Sequence, residues 1–294
     1  MSETAFSYAE MTRRNIGFVT EAEQARLRGA TVFVCGTGGM GGACILSLAR
    51  IGIGHMILAD IDAFDVSNLN RQVFAFAETI GQHKAEATAA VLARINPEMR
   101  VTVYRDEWPV HVRTCIAAAA VVVNGTDDLG ASLLLYRTAR DMGKAVIDAY
   151  ASPLPSVYVT RPQDQPHEAR MGYPTRGTDW DKLSAAQRAT AFLREAEHVV
   201  LHSSSRDYID LALVGDVVAG RRSRMSFAPM VITTGQLMAY EVVNTVLGRK
   251  AGADNRGWFL NPYKGRAEHP RNPVMTALLR PLVRRFLTRL AAAA

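Results

Sequence analysis

The sequence predicts an α/β protein: a Rossmann-like, mostly parallel sheet flanked by helices, with a variable helical and loop excursion and a C-terminal helix. Three observations carry this. Short apolar runs alternate with segments of helical periodicity from residue 30 to residue 150, as strands joined by crossover helices do. A glycine-rich turn, Gly36-Thr37-Gly38-Gly39-Met40-Gly41, follows the first run and opens the first helical segment. Asp60 closes the second run.

Each element has its own signal. Ala30–Cys35 is a short buried strand bounded by glycine, and Gly42–Ile51 carries apolar residues at helical spacing, stopped by Gly52 to Gly54. His55–Ala59 is the second strand. Lys84–Ile95 is an amphipathic helix ended by Asn96-Pro97. Val101–Tyr104 and Ala120–Val123 are the third and fourth strands, the latter running into the polar turn Asn124–Asp128. Leu129–Met142 is a helix closed by Gly143, and Ala145–Ala149 a fifth strand. Arg161–Asp179, rich in Pro, Gly and charge, reads as a long loop without periodicity. Helices are expected over Ser184–Val200, Tyr208–Ala219 and Thr234–Leu247, and a last strand over Trp258–Leu260. Pro273–Ala294 reads as a basic amphipathic helix with Leu278, Leu282, Phe286 and Leu290 on one stripe. That stripe would pack on the body or a dimer mate, or lie on a membrane surface. The segments are then an N-terminal arm and helix (1–29), a Rossmann-like domain (30–160), a variable crossover segment (161–226), the remainder of the sheet domain (227–272) and the C-terminal helix (273–294).

Composition excludes several classes. The chain has 294 residues, 48% of them hydrophobic and 21% charged, enough for a large packed domain and too apolar for a disordered chain. The polar start lacks the apolar core of a signal peptide, and no apolar stretch approaches the ~20 residues that span a bilayer, so a cytoplasmic location is expected. Three cysteines, Cys35, Cys44 and Cys115, form no CxxC pair, so neither a zinc knuckle nor a disulfide framework is indicated. The net charge of +6 gathers partly at Arg221, Arg222 and Arg224 and in the C-terminal helix; a solvated surface or an anionic partner would account for it.

The glycine turn lets the backbone bend sharply and approach a phosphate chain, with free N–H groups and the helix dipole aimed at the negative charge. Asp60 lies where a carboxylate accepts bonds from ribose hydroxyls. Taken alone this describes any nucleotide binder, NAD enzymes included. The next charged residues discriminate: Asp62, then Ser67-Asn68-Leu69-Asn70-Arg71-Gln72, Gly81-Gln82-His83-Lys84, and Gly125-Thr126-Asp127-Asp128. Hydride transfer has no use for a guanidinium, an ammonium and a carboxylate beside the phosphates. Nucleotidyl transfer uses cations to neutralise the breaking triphosphate and a carboxylate to hold magnesium.

In this order and spacing, GTGGMGG, LADID, SNLNRQ, GQHKAE and GTDD resemble the nucleotide-binding domain of the ThiF/MoeB/HesA family, whose larger relatives are the ubiquitin-activating enzymes. The resemblance runs from about Arg14 to about Tyr158, with a weaker echo at Ser226–Gly248. It implies an ATP-binding adenylyltransferase. Gly36, Gly38, Gly39 and Gly41 would form the phosphate loop and Asp60 would hold the ribose. Asn68, Arg71, Gln72 and Lys84 would contact the triphosphate, and Asp127 would hold Mg2+. Asp62 would either join the nucleotide site or organise its turn. Asp128 stands where the family often has Asn and reads as a helix cap, and Asn124 replaces a common Asp. Arg13-Arg14-Asn15 resembles the family's Arg-x-x-Arg-Gln segment, with Asn15 for Gln. The resemblance therefore implies a homodimer in which Arg14 reaches the partner's ATP.

The family's transfer cysteine normally lies after the fifth strand, where this chain has none, and the zinc CxxC pairs are absent. Cys35 ends a strand, Cys44 falls inside a helix and Cys115 precedes another element, all reading as small core residues. The expectation is adenylation of a carboxylate, on a peptide, a small carrier protein or a small molecule, without an enzyme thioester and without zinc. A tRNA-modifying dehydratase of the same superfamily is the alternative, with tRNA then a partner. From other classes come an NAD-dependent oxidoreductase and a non-catalytic adaptor. Substrate selection is expected within Arg161–Arg224, where His167, Arg176, His198, His202 and Ser203-Ser204-Ser205 form no recognisable catalytic pair.

Overall fold

A computed structural model describes residues 6–150, 152–218 and 221–293. Ala219, Gly220 and Ala294, which the sequence reading placed in helices or in the basic stretch, and the first five residues of the arm lie outside them.

The chain runs α1 (Tyr8–Thr12), α2 (Glu21–Gly29), β1 (Thr31–Cys35), α3 (Gly39–Ile51), β2 (His55–Ala59), α4 (Lys84–Ile95), β3 (Arg100–Tyr104), α5 (Trp108–Ala118), β4 (Val121–Asn124), α6 (Leu129–Asp141) and β5 (Val146–Asp148). It continues through β6 (Ser156–Thr160), α7 (His167–Met171), α8 (Ala185–His202), α9 (Leu211–Val218), α10 (Ala228–Leu247), β7 (Trp258–Asn261), β8 (Arg266–Glu268) and α11 (Pro273–Ala293). The eight strands form one sheet in the order β3-β2-β1-β4-β5-β6-β7-β8. β1 to β5 are parallel, and β6 to β8 extend the sheet antiparallel.

Because side chains alternate across a strand, β1 feeds two cores. Val32 and Val34 join α3, α4 and α10, with Ile45, Leu48, Leu92, Met238 and Val242 buried among them. Phe33 and Cys35 point the other way, onto Trp108, Val112 and Ile116 of α5 and Leu135 and Ala139 of α6. A third cluster, including Leu133, Tyr150, Tyr158, Tyr173, Ala191 and Phe259, fastens the excursion to the far part of the sheet. α10 lies so close to α3 that a Cβ on Gly235 would sit 2.5 Å from the Met40 carbonyl oxygen.

Several expectations need correction. Arg161–Asp179 contains α7, only five residues long and so too short to show a helical period, closed by Gly172 in the left-handed region. β6 was not expected; its five buried residues lie close to Pro153, Pro155 and Pro162, which disguise a strand. Cys115 lies inside α5, whose start is set by Pro109. α10 begins six residues before the expected Thr234, with a proline in its first turn. The stripe read for the C-terminal helix is split: Leu278 and Leu282 are 67% and 59% exposed, Phe286 and Leu290 are half-buried, and among the described residues of α11 the buried apolar one is Leu287.

A nucleotide-type turn beside a cavity

In this strand order the chain reverses direction across the sheet at β1, between β2 and β4, and the crevice beyond their carboxyl ends is where open α/β sheets hold ligands. The glycine turn fills that place. Gly36, at φ 91°, is so closely packed that a Cβ would lie 2.3 Å from the Gly125 carbonyl carbon, and one on Gly41 would lie 1.9 Å from the Gly36 oxygen. Gly38 and Gly39 have softer neighbours. A Cβ on Gly38 would meet the Gln72 side chain at 3.5 Å, and one on Gly39 a Val231 methyl at 2.7 Å. Two of the four predicted loop glycines are therefore required by backbone packing alone, whereas the other two leave the turn open.

Asp60 is buried and holds the turn. Its Oδ2 accepts from the Thr37 amide at 2.7 Å and the Thr37 hydroxyl at 2.9 Å, while Oδ1 accepts from the Asp62 amide at 3.0 Å. Asp62 in turn pairs with Lys84, Oδ2 to Nζ 2.8 Å, and the Lys84 amide donates to the Asp62 carbonyl. Lys84, at the start of α4, is itself buried, so its ammonium is fixed rather than free to wander. Asp62 is thus a positioning residue for that ammonium.

The Ser67–Gln72 segment closes over the turn. Asn68, buried, accepts from the Asp65 amide and so completes the capping box of a short 3-10 helix that Asp65 caps. Arg71 lays its stem by Gly39, its Cγ 3.9 Å from where a Cβ would stand, while its Nη1 donates to the Ser67 carbonyl and the Asn70 side chain, each at 2.8 Å. Gln72 faces Gly38, and its Oε1 is buried without a hydrogen-bond partner. On the opposite side, Gly125 and Thr126 touch Gly36, and Asp127 follows them as an exposed carboxylate with no hydrogen bond or ion pair among the described residues. Asp128 is already engaged: it caps α6 through the Ala131 amide and pairs with Arg188 at 2.6 Å. Arg14 does not join this group. Asn15 beside it donates to the Ile51 carbonyl at the far end of α3, about 20 Å of helix from the turn.

Beside the turn lies a cavity of about 260 Å3, bounded by Met40 and Asp127 on the nucleotide side. One wall is the ends of β4 and β5 with Asp148 and Tyr150; the other is a face of α8 carrying Arg188, Ala191, Phe192 and Glu195. Those four sit at i, i+3, i+4 and i+7, one stripe of a helix that starts at a Ser184–Gln187 capping box. Asp148 accepts from the Tyr136 hydroxyl at 2.7 Å and from Asn124 Nδ2 at 3.1 Å, and burial pushes its carboxyl up to about 7. This explains Asn124: an aspartate there would offer Asp148 a second carboxylate and no donor. Burial also raises the Glu195 carboxyl, which accepts from Tyr173 at 2.8 Å.

Among the excursion residues weighed from sequence, His167 and Arg224 line this cavity. His167 is stacked on Tyr136 at 4.0 Å, and burial depresses its pKa well below the usual imidazole range. Arg224 lies over the Phe192 ring at 5.1 Å. Arg176 is exposed elsewhere, His198 bonds to the Arg256 carbonyl, and Ser203 and Ser205 bond to each other. The cavity residues missed from sequence are Arg188, Phe192, Glu195, Asp148, Tyr150 and Tyr173. For Arg188, Phe192 and Glu195 the one local signal was the Ser184 cap and the stripe that follows it.

None of the three thiols lines the cavity. Cys35, Cys44 and Cys115 are buried, and burial raises all three, Cys115 to about 11. A thiol so held carries little of the thiolate that a nucleophile needs.

The ThiF family matches residues 12–276. The chain is 38% identical over 120 residues to a molybdopterin-synthase adenylyltransferase of Salmonella typhimurium, covering 38% of this chain and 45% of that protein. It is 44% identical over 75 residues to a tRNA threonylcarbamoyladenosine dehydratase of Bacillus subtilis, covering 26% and 30%. The chain thus spans less than half the length of these curated relatives. Among solved structures it resembles Escherichia coli MccB, a microcin C7 biosynthetic enzyme captured with N-formylated MccA, at a TM-score of 0.60 and 19% identity, covering 86% of this chain and 68% of that one. At that identity the likeness is one of fold.

Proposed function

Because the chain belongs to the ThiF family, we propose that it is an ATP-dependent adenylyltransferase that activates a carboxylate, on a peptide or a small molecule, as its acyl-adenylate. One observation carries this reading: Gln72 and the Arg71 stem lie against the glycine turn, Asp60 links the turn to the Asp62–Lys84 pair, and Asp127 follows the Gly125–Thr126 backbone packed on Gly36. In the reaction, a carboxylate oxygen attacks the α-phosphorus of ATP, the bond to the bridging oxygen breaks, and pyrophosphate leaves with the electron pair. The turn's amides and the α3 N-terminus bind the phosphates, and Arg71 and Lys84 stabilise the charge that develops. Gln72 would offer a phosphate oxygen its Nε2 amide donor, not the unpartnered Oε1, which can only accept. Asp60 keeps the turn in shape and would use the capacity left on its carboxylate to accept from a ribose hydroxyl.

Asp127 fits magnesium, an ion that keeps several waters and takes one or two carboxylates plus substrate phosphates. When bound, the metal would neutralise pyrophosphate charge. The adjoining cavity receives the carboxylate substrate, with Arg188, Phe192, Glu195 and Arg224 reading its remainder. With every cysteine buried, the acyl group passes to an acceptor other than an enzyme thiol. The same reading implies a homodimer: Arg14 is exposed and far from its own turn, and so would act on a partner's triphosphate.

The relatives favour a second reading on one ground, the local identity to a tRNA-modifying dehydratase. Pyrophosphate exchange separates the two. With labelled pyrophosphate and a panel of acids and peptides, exchange should appear only with the right carboxylate, whereas a dehydratase would exchange only with tRNA. Lys84→Ala should lower exchange ~100-fold or more at an unchanged melting temperature. NAD binding without ATP binding would overturn the proposal.

A further inference from the structure

α11 is apolar on two sides, and only one of them is used by the fold. Leu287 is buried, and the helix packs on α8 and α9. An ionic clamp fixes that side: buried Glu197 of α8 takes Arg280 Nε at 3.0 Å, Arg284 Nε at 2.8 Å and Arg194 Nη1 at 2.8 Å. The opposite side carries Val274, Leu278 and Leu282, 72%, 67% and 59% exposed, with Met275 alongside at 44%. At a spacing of three to four residues that stripe continues into Arg285 and Arg289, and Arg271 immediately precedes it. None of these three arginines has an ion pair among the described residues, and α11 contains no acidic residue.

We propose that this outer face of α11 docks the protein, in the plane of the surface, on an anionic lipid bilayer. Large aliphatic side chains in a line with cationic ends match a layer whose headgroups are negative and whose interior lies a few ångströms below. No helix among the described residues is long and apolar enough to cross a membrane, so the contact is interfacial. A second copy is a poor occupant, because two such faces would oppose arginine to arginine. A protein groove is a poorer match too, since four side chains on one raised helix fall far short of the roughly 1,200 Å2 that a stable protein interface buries. The clamp matters here: with Arg280 and Arg284 tied inward to Glu197, the helix is held with its aliphatic ridge outward.

Cosedimentation of the full chain with vesicles tests this. Vesicles of phosphatidylcholine with phosphatidylglycerol should pull down the protein at low salt, vesicles of phosphatidylcholine alone should bind at least tenfold less, and added salt should release it. Leu278→Ser with Leu282→Ser, and separately Arg285→Glu with Arg289→Glu, should each weaken binding at least tenfold while pyrophosphate exchange stays at the wild-type level. Wild-type protein left in solution with anionic vesicles would overturn the lipid assignment and leave an acidic protein as the occupant. So would vesicle binding that neither double variant reduces. A halved particle mass for Leu278→Ser with Leu282→Ser, by light scattering, would instead show that a second copy covers the face.

Discussion

The nucleotide turn and the α8 wall of the cavity beside it are built by different rules. The turn is backbone: Gly36, Gly41 and Gly125 approach so closely that no side chain fits, and Asp60 ties the result together with bonds to Thr37. The α8 wall is side chain: Arg188, Phe192 and Glu195 project from a regular helix that would form equally well with other residues there. The turn tolerates almost no change and gives the common chemistry its geometry. The α8 wall can be rewritten without touching the fold, which is what selecting a particular substrate requires.

The sharpest way to break this contrast is at the glycines. Gly41→Ala sets a methyl 1.9 Å from a carbonyl oxygen, and the expected cost is about 3 kcal/mol or more, read as a collapsed melting temperature along with lost exchange. Gly38→Ala meets only the Gln72 side chain at 3.5 Å and should fold with near-normal stability while ATP binds more weakly. Equal melting temperatures for the two variants would refute the backbone account.

A comparable effect is expected in the sheet wall of the cavity, at Asp148. Its carboxyl is held at about 7 by burial, while in the unfolded chain it titrates near 4. Below pH 4 the group is protonated in both states and costs nothing. As pH rises from about 4 to about 7 the unfolded state ionises first, so stability is lost, and above 7 the loss is complete. Wild-type protein should therefore lose about 2–4 kcal/mol relative to Asp148→Asn across that window. Chemical denaturation of both proteins at several pH values measures it, and parallel profiles would contradict the burial argument.

The smallest effect belongs to the replaceable wall. Phe192→Ala should raise the KM for the carboxylate substrate about tenfold, roughly 1.4 kcal/mol, with the KM for ATP and the melting temperature close to wild type. A shift in the KM for ATP of the same size would place Phe192 on the nucleotide side instead.

Much of the sheet was legible from residues alone. β2 and α4 have the bounds their patterns predict, since a fully apolar HMILA run or a period stopped by Asn96-Pro97 is a local signal. β6 and α7 were hidden because five residues among prolines carry too little pattern. For the site, the turn, its aspartate and the basic residues announce themselves through spacing. What could not be read was that Asp62 grips Lys84, that Asp128 is spent on Arg188 while Asp127 is left unengaged, or that Asn124 serves as a donor to Asp148. Each of these depends on which partner another segment brings within hydrogen-bonding distance.

The C-terminal helix shows the same division. Its apolar residues and arginines predict an amphipathic helix, but a chain with apolar residues on two faces does not say which face is inward. Glu197, 83 residues before Arg280, decided that by drawing Arg280 and Arg284 to α8 and leaving Leu278 and Leu282 outside. The sequence by itself determined the parallel sheet, the glycine turn and the residue types gathered on it, because sterics and periodicity act between near neighbours. The cavity, the pairings of its charges and the outward face of α11 were decided by tertiary structure, because burial and ion pairing act between residues the chain keeps far apart.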